Sequence, residues 1–266
     1  MLSKENSLTS PTVERCGLSD VSALHGLGGP LLTELESICT KATFQPGQIV
    51  LAEGMAPDYI GCVRQGILRM QKTLYDGRQQ IVGLLVEGDM FGHVIEGPAS
   101  FAIEAAGETS ICMFKRKPFE ALLNRSLKLE RLLLLNTLNE LDRARDWMVI
   151  LTNYKTSVRL AGFLVVLCTR YFGVDHIMQV GSGRLELNIP ITRVDLAHLL
   201  GTRVESISRA FGALTKKGVI EVKTPYLIEI LDIEKLFEMA GNEDLESVKA
   251  LMQWCQTDEN QSLQGQ

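Results

Sequence analysis

Residues 192–218 read TRVDLAHLLGTRVESISRAFGALTKKG, two short amphipathic helices hinged at Gly201. Thr192 is followed three residues later by Asp195, and Thr202 by Glu205; both pairs carry the capping-box signature, in which a hydroxyl and a carboxylate satisfy the free amides of a helix start. Helix starts this close together leave room only for a tight turn. Val194, Leu196, Ala197, Leu199 and Leu200 supply the apolar side of the first helix, while Ile207, Ala210, Phe211 and Leu214 recur at the spacing of one face of the second. The opposite face of the second helix carries Glu205, Ser208, Arg209 and Gly212.

That polar face has the chemistry of a DNA major-groove reader. A carboxylate accepts from cytosine N4, an arginine bonds guanine O6 and N7 together, and a hydroxyl serves several base edges. All three groups fall in the first two turns, the part of a recognition helix that meets bases in helix-turn-helix proteins. A plainer reading makes Glu205 the capping-box partner and an i,i+4 ion pair for Arg209 on a solvated face. The residues beyond the second helix favour the DNA-reading role. Gly218 closes the helix, and GVIEVK (218–223), Thr224-Pro225-Tyr226 and LIEIL (227–231) read as strand, turn and strand. This is the order of a winged helix-turn-helix, with Lys216, Lys217 and Lys223 placed to touch phosphates.

The span from Val158 to Leu231 resembles the DNA-binding domain of the Crp/Fnr family of bacterial transcription regulators, with G-T-R-V-E-S-I-S-R (Gly201 to Arg209) as its recognition segment. The pattern Val-Glu-x-x-Ser-Arg, here Val204, Glu205, Ser208 and Arg209, is that of the Fnr and FixK branch; the cyclic-AMP-receptor branch has an arginine where this chain has Val204. The resemblance implies base reading by Glu205, Ser208 and Arg209, with support from Thr192, Thr202, Arg203, Val204, Ser206, Lys216, Lys217 and Lys223. It further implies a TTGAT-N4-ATCAA-like palindrome and a homodimer that works with RNA polymerase.

Composition agrees with a two-domain DNA binder. The chain has 266 residues, 45% of them hydrophobic and 22% charged, ordinary values for a globular protein. A net charge of -5 suits nucleic acid poorly until it is divided along the chain. Lys155 to Thr224 holds ten Lys and Arg against five Asp and Glu, whereas the remainder holds 17 against 27. A basic module on an acidic body is the footprint of a DNA-binding domain joined to something else. The polar start, MLSKENSLTSPTVERCGLSD, has no apolar core of signal-peptide type, and no apolar run approaches the roughly 20 residues of a membrane helix. A cytoplasmic protein is expected, without a membrane partner.

From Ala42 to Leu122, short β-rich runs alternate with turns: QIVLAEG, YIGCVRQG, ILRMQKTLYDG, QQIVGLLVEGD, MFG and SICMF. Strands this dense, broken by Gly, Pro and Asp, indicate an antiparallel barrel or roll. The run resembles the cyclic-nucleotide-binding β-roll of the same family, through F-x-P-G at Phe44 to Gly47, G-x-x-P-D-Y-I at Gly54 to Ile60, V-x-x-G at Val63 to Gly66 and E-G-D-M-F-G at Glu87 to Gly92. Nucleotide-binding members continue with Gly-Glu for the ribose and an arginine for the cyclic phosphate. Here His93 follows Gly92, and Gly97 to Ala102 contains no arginine. A cyclic phosphate needs a guanidinium or several oriented amides to replace its water, so nucleotide sensing is not expected.

The Fnr branch includes oxygen sensors that hold an iron–sulfur cluster on three closely spaced N-terminal cysteines and a fourth in the roll. Cys112 sits near the fourth, but Cys16 and Cys39 each stand alone in sequence, and a cluster usually takes four thiolates. Cys62, Cys112 and Cys168 lie in apolar runs where a free cysteine acts as a small hydrophobe; Cys16 has polar neighbours. Cys16 and Cys112 are the candidate redox thiols, an unusual set from Cys16, Cys39, Cys62 and Cys112 stays open, and no metal site or cofactor is expected. Six cysteines without a C-x-x-C pair do not suggest a disulfide framework. His93 would be the haem ligand if one were present; His25, His176 and His198 show no metal spacing. Neither a Ser-His-Asp set nor a phosphate-binding loop appears. The chain is read as no enzyme.

Leu127 to Thr152 carries Leu138, Leu141, Ala144, Met148 and Leu151 on a long apolar stripe without Pro or Gly. In a helix this long such a stripe suits a two-stranded seam with a second subunit, and two recognition helices about a two-fold axis read a palindrome one turn apart. LLTELESICTKA and the stretch from Asp232 to Gln256 read as two further short helices, before a polar tail. The expected fold is α+β. It comprises an N-terminal extension (1–41), a sensory β-roll (42–122), a dimerisation helix (123–153), a winged helix-turn-helix (154–231) and a C-terminal helix and tail (232–266). Two alternatives remain: a redox regulator sensing oxygen or nitric oxide through an iron–sulfur cluster, thiols or haem, and a cyclic-nucleotide-binding module that controls a partner enzyme. The second needs a phosphate-binding arginine and has no use for Glu205, Ser208 and Arg209.

Overall fold

The computed structural model describes residues 12–18, 21, 24, 26–92, 97–170, 178–181, 184–241 and 246–253. Chain contacts divide the molecule into two units, Met1–Asn139 and Glu140–Gln266. His25, His93, His176, Cys255 and the polar tail lie outside the described residues.

The first unit is an antiparallel roll. Its strands are β1 (Thr12–Arg15), β2 (Cys39–Phe44), β3 (Ile49–Leu51), β4 (Tyr59–Gln65), β5 (Leu68–Thr73), β6 (Gln79–Leu85), β7 (Met90–Phe91), β8 (Ala102–Ala105) and β9 (Thr109–Lys115). They form two sheets, ordered β1-β2-β9-β4-β7 and β3-β8-β5-β6. Alternate side chains of the strands meet between the sheets: Ala42, Phe44, Val63, Leu68, Leu85, Phe91, Ile103 and Ile111 form one buried cluster. A Cβ on Gly61 would fall inside the Phe91 ring, so only glycine admits that ring at this point. The roll interior is therefore filled by apolar side chains.

Helix α1 (Gly29–Ser37) precedes β2. The helix expected over LLTELESICTKA thus stops at Ser37, and Cys39 onward turns into strand. The reason is pairing: β2 runs against β9 from Cys39↔Phe114 to Phe44↔Thr109 and buries Cys39, Ala42 and Phe44, which outweighs the weak local helix preference of a Cys-Thr-Lys segment. Strand β1, which the sequence reading did not assign, pairs with the outer edge of β2. After α2 (Arg116–Leu123) comes α3 (Leu127–Thr152), unbroken over 26 residues.

The second unit holds α4 (Thr156–Arg170), a hairpin β10 (Met178–Gly181) and β11 (Arg184–Asn188), α5 (Arg193–Leu199), α6 (Val204–Lys216), β12 (Ile220–Val222), β13 (Leu227–Ile230) and α7 (Ile233–Ala240). Its sheet runs β10-β11-β13-β12, antiparallel throughout. The sequence reading missed β10 and β11. Phe163, Leu164, Leu196, Leu200, Ile207, Phe211, Leu214, Val219, Leu236 and Phe237 make the buried core on which α4, α5, α6 and α7 rest. The single helix expected from Asp232 is interrupted: α7 closes at Gly241, left-handed at φ 70°, and residues 246–253 are helical again.

Candidate DNA interface and thiol cluster

Helix α5 begins as its residues require. Thr192 Oγ1 accepts from the Asp195 amide at 3.1 Å while the Asp195 carboxylate accepts from the Thr192 amide at 3.3 Å, a complete capping box. Arg193 stands over the Phe211 ring, its guanidinium carbon 3.1 Å from the ring centre, and ties α5 to α6. Leu200 and Gly201 then make the turn, Gly201 at φ 58°. Arg159 of α4 locks that turn, donating to the carbonyls of Leu200 at 2.8 Å and Gly201 at 3.3 Å.

The second capping box is not formed. Arg203, in extended backbone, is the N-cap of α6 and no side chain caps the helix. Thr202 is spent on the turn: its amide donates to the Ala197 carbonyl at 2.9 Å and its hydroxyl faces that of Thr156 at 3.4 Å. The left-handed Gly201 followed by Thr202 shifts the helix start by one residue, which removes Glu205 from the third helical position that the box demands.

That shift leaves Glu205 uncommitted to the cap. Helix α6 buries Ile207, Ala210, Phe211 and Leu214 and exposes Glu205, Ser208, Arg209 and Gly212. Arg209 Nη2 donates to Ser206 Oγ at 3.3 Å, and Ser208 Oγ donates back to the Val204 carbonyl at 3.2 Å. Among the described residues no ion pair joins Glu205 to Arg209, so the i,i+4 pair of the plainer reading is not made. Val204 and Ser206 are half-buried on the flank.

Lys216 and Lys217 are exposed at the end of α6. Lys223, at the turn of the β12–β13 wing, is held between Glu221 at 2.8 Å and Glu229 at 2.7 Å, and Arg184 reaches the buried Glu229 at 3.1 Å. Glu221 and Glu229 raise the Lys223 ammonium above its ordinary range. Lys223, opposed by burial and helped by Arg184, holds the Glu229 carboxyl below its own.

On α3, Leu129 is buried in the roll's helical flank and Trp147 stacks on Phe163 at 5.8 Å. Leu138, Leu141, Ala144, Met148 and Leu151 are exposed, together with Leu134 and Leu135. A contiguous apolar stripe left uncovered on a long helix needs a partner.

In the first unit the structure corrects the reading of the cysteines. Cys16, Cys39 and Cys112 do not stand alone: their sulfurs all lie within 4.8 Å of one another, with Cys16 and Cys112 at 2.7 Å. Nor is Cys16 in polar surroundings, being buried with Leu18, Leu35, Ile60, Phe114 and Phe119. Its contacts with Cys112 and Cys39, with Arg64 nearby, hold the Cys16 thiol down to about 3 against the upward push of burial. The other two thiols move the other way: Cys112 is pushed up to about 12, first by its contact with Cys16, and Cys39 is pushed up by its contacts with both partners. Burial alone is the chief cause that raises Cys62. The register explains the convergence. Lys41 pairs with Cys112, which puts Cys39 two positions away on the same face, and β1 delivers Cys16 to the same buried cluster.

Known proteins resemble the chain in both units. The Crp-like helix-turn-helix domain matches residues 158–239, and the cyclic nucleotide-binding domain matches residues 41–126. The Transcriptional activator protein FnrL of Cereibacter sphaeroides is 32% identical over 212 residues, covering 80% of this chain and 85% of that protein. The Nitrogen fixation regulation protein FixK of Bradyrhizobium diazoefficiens is 28% identical over 207 residues, 78% of this chain and 85% of its own. Among solved structures, FixK2 from Bradyrhizobium japonicum superposes with a TM-score of 0.65 at 28% identity, covering 76% of this chain and 97% of that one.

Proposed function

The chain belongs to the Crp/Fnr family of transcription regulators, on its Fnr/FixK side, and carries that family's DNA-binding helix-turn-helix; from this premise we propose that it reads a palindromic TTGAT-N4-ATCAA-like site as a homodimer, without cyclic nucleotide. One observation carries the reading: Glu205, Ser208 and Arg209 form an exposed row on the first two turns of α6, and Arg209 is not neutralised by Glu205. A guanidinium held only by a neighbouring hydroxyl is free to make the bidentate bond to guanine O6 and N7, and Glu205 to accept from the cytosine opposite. Lys216 and Lys217, at the far end of the same helix, suit phosphates, which fix register without reading sequence. Thr192, Thr202, Arg203, Val204 and Ser206 hold the row in place.

The exposed leucine stripe of α3 supports the two-fold assembly that a palindrome requires. The first unit's role is sensory, and its filled apolar roll and arginine-free segment from Gly97 to Ala102 speak against an anionic nucleotide inside it. Regulation of transcription through RNA polymerase in the cytoplasm, with no catalysis of its own, completes the proposal; among the described residues no helix is long and apolar enough to cross a membrane. Selection of bound sequences from a random DNA pool tests it. TTGAT-like halves in inverted repeat are expected, and a palindrome lacking them overturns the assignment of Glu205, Ser208 and Arg209.

A further inference from the structure

We propose that Cys16, Cys39 and Cys112 form a binding site for one thiophilic divalent cation, zinc being the reference ion, held by three thiolates on the helix-covered face of the N-terminal roll. The three sulfurs come from separate segments, the exit of β1, the start of β2 and the middle of β9, and are all buried. Their mutual distances, none above 4.8 Å, are those of donors around a single centre. A tetrahedral ion with bonds of about 2.3 Å spaces its sulfurs by about 3.8 Å. Cys16 and Cys112, now 2.7 Å apart, need open only by about an ångström to reach it.

The alternatives that the same sulfurs suggest fit less well. An iron–sulfur cluster takes four thiolates and spreads them over several metal centres, so its ligand sulfurs stand wider apart than on one ion. Only three thiols gather here among the described residues, and all three sulfurs lie within 4.8 Å of one another. The disagreement with a cluster is therefore one of number and of spacing together. Packing alone explains a buried cysteine singly, but not three sulfurs turned towards each other inside a shell of leucine, isoleucine and phenylalanine. Each thiol gives up its proton on binding, and the resulting negative charge lies beside Arg64, whose Nη1 donates to the Gly17 carbonyl at 3.2 Å. An ion there would tie β1, the outermost strand of its sheet, to β2 and β9.

The test uses the full-length protein, reduced, stripped with a chelator and titrated under argon with cobalt, whose absorption reports both thiolate ligation and tetrahedral geometry. One equivalent per chain is expected, with a thiolate-to-cobalt charge-transfer band and displacement by zinc. Cys39→Ser should weaken binding by about tenfold or more, while Cys168→Ala, in α4 of the other unit, should bind as the parent does. Wild-type protein that takes up no cobalt overturns the proposal, and decides the matter even if Cys39→Ser fails to fold. So does unchanged binding in a folded Cys39→Ser, a Cys16–Cys112 disulfide as the only product, or anaerobic iron loading that yields a multi-iron cluster. DNA selection on the same preparations is read separately, so failure of the metal site leaves the DNA assignment intact.

Discussion

Arg209 donates to Ser206 at 3.3 Å, and Glu205, one turn earlier, takes no part in that bond. The guanidinium is thus oriented by a neutral hydroxyl instead of being neutralised by a carboxylate. Arg209→Ala should cost roughly 1–3 kcal/mol of binding per half-site and relax preference at the G·C pair it reads. Its exposed position means the melting temperature should hardly move. Equal selectivity in parent and variant would show that Arg209 does not read a base.

The wing and helix lysines should behave differently. Lys216 makes no ion pair among the described residues, so Lys216→Ala should weaken binding to all sequences and reduce the salt slope by roughly one unit. Lys223 already faces Glu221 and Glu229, and its removal should change the slope less. Titrations of both variants from low to high salt measure the difference; the reverse order would mean that Lys223 turns from its carboxylates to the DNA.

Glu229 carries a pH signature. Its carboxyl is held below its usual value chiefly by Lys223, so the stabilisation it contributes is present above the unfolded value of about 4.3 and is lost as pH falls through the lower folded value. Glu229→Gln should therefore lower the melting temperature near neutrality and flatten the decline on the acid side. Melting curves between neutral and strongly acidic pH check this. An unaltered acid limb would show that the Lys223–Glu229–Arg184 group contributes nothing to stability.

Assembly depends on the stripe of α3. Leu141 and Met148 are 45% and 68% exposed in a single chain, so Leu141→Glu or Met148→Glu should leave the fold intact while placing an unpaired charge in the proposed seam. Sedimentation should show monomers. Variants that remain dimeric would move the subunit contact elsewhere.

Much of the second unit was legible because its signals are local. The hydroxyl and carboxylate three residues apart that open α5, glycines at the ends of helices and apolar positions at helical spacing act within one or two turns, and α5, the buried face of α6 and the β12–β13 wing follow from them. The first unit was legible only as a roll of strands. Where α1 yields to β2 depended on a partner strand more than sixty residues away, and pairing with β9 overrode the helix that LLTELESICTKA suggests.

The family, the two-unit order, the long α3 and the row Glu205, Ser208, Arg209 can all be read from the order of residues. How side chains distant along the chain come to share a site cannot, because it is set by pairing and packing. Thr202 lost its cap to Arg203 because Gly201 turned left-handed under Arg159, which no spacing rule contains. Cys16, Cys39 and Cys112 looked isolated because no motif links them, yet strand register sets their positions. Antiparallel pairing of β1 with β2 and of β2 with β9 carries the three thiols to one face of the roll, and burial there leaves them few partners but each other.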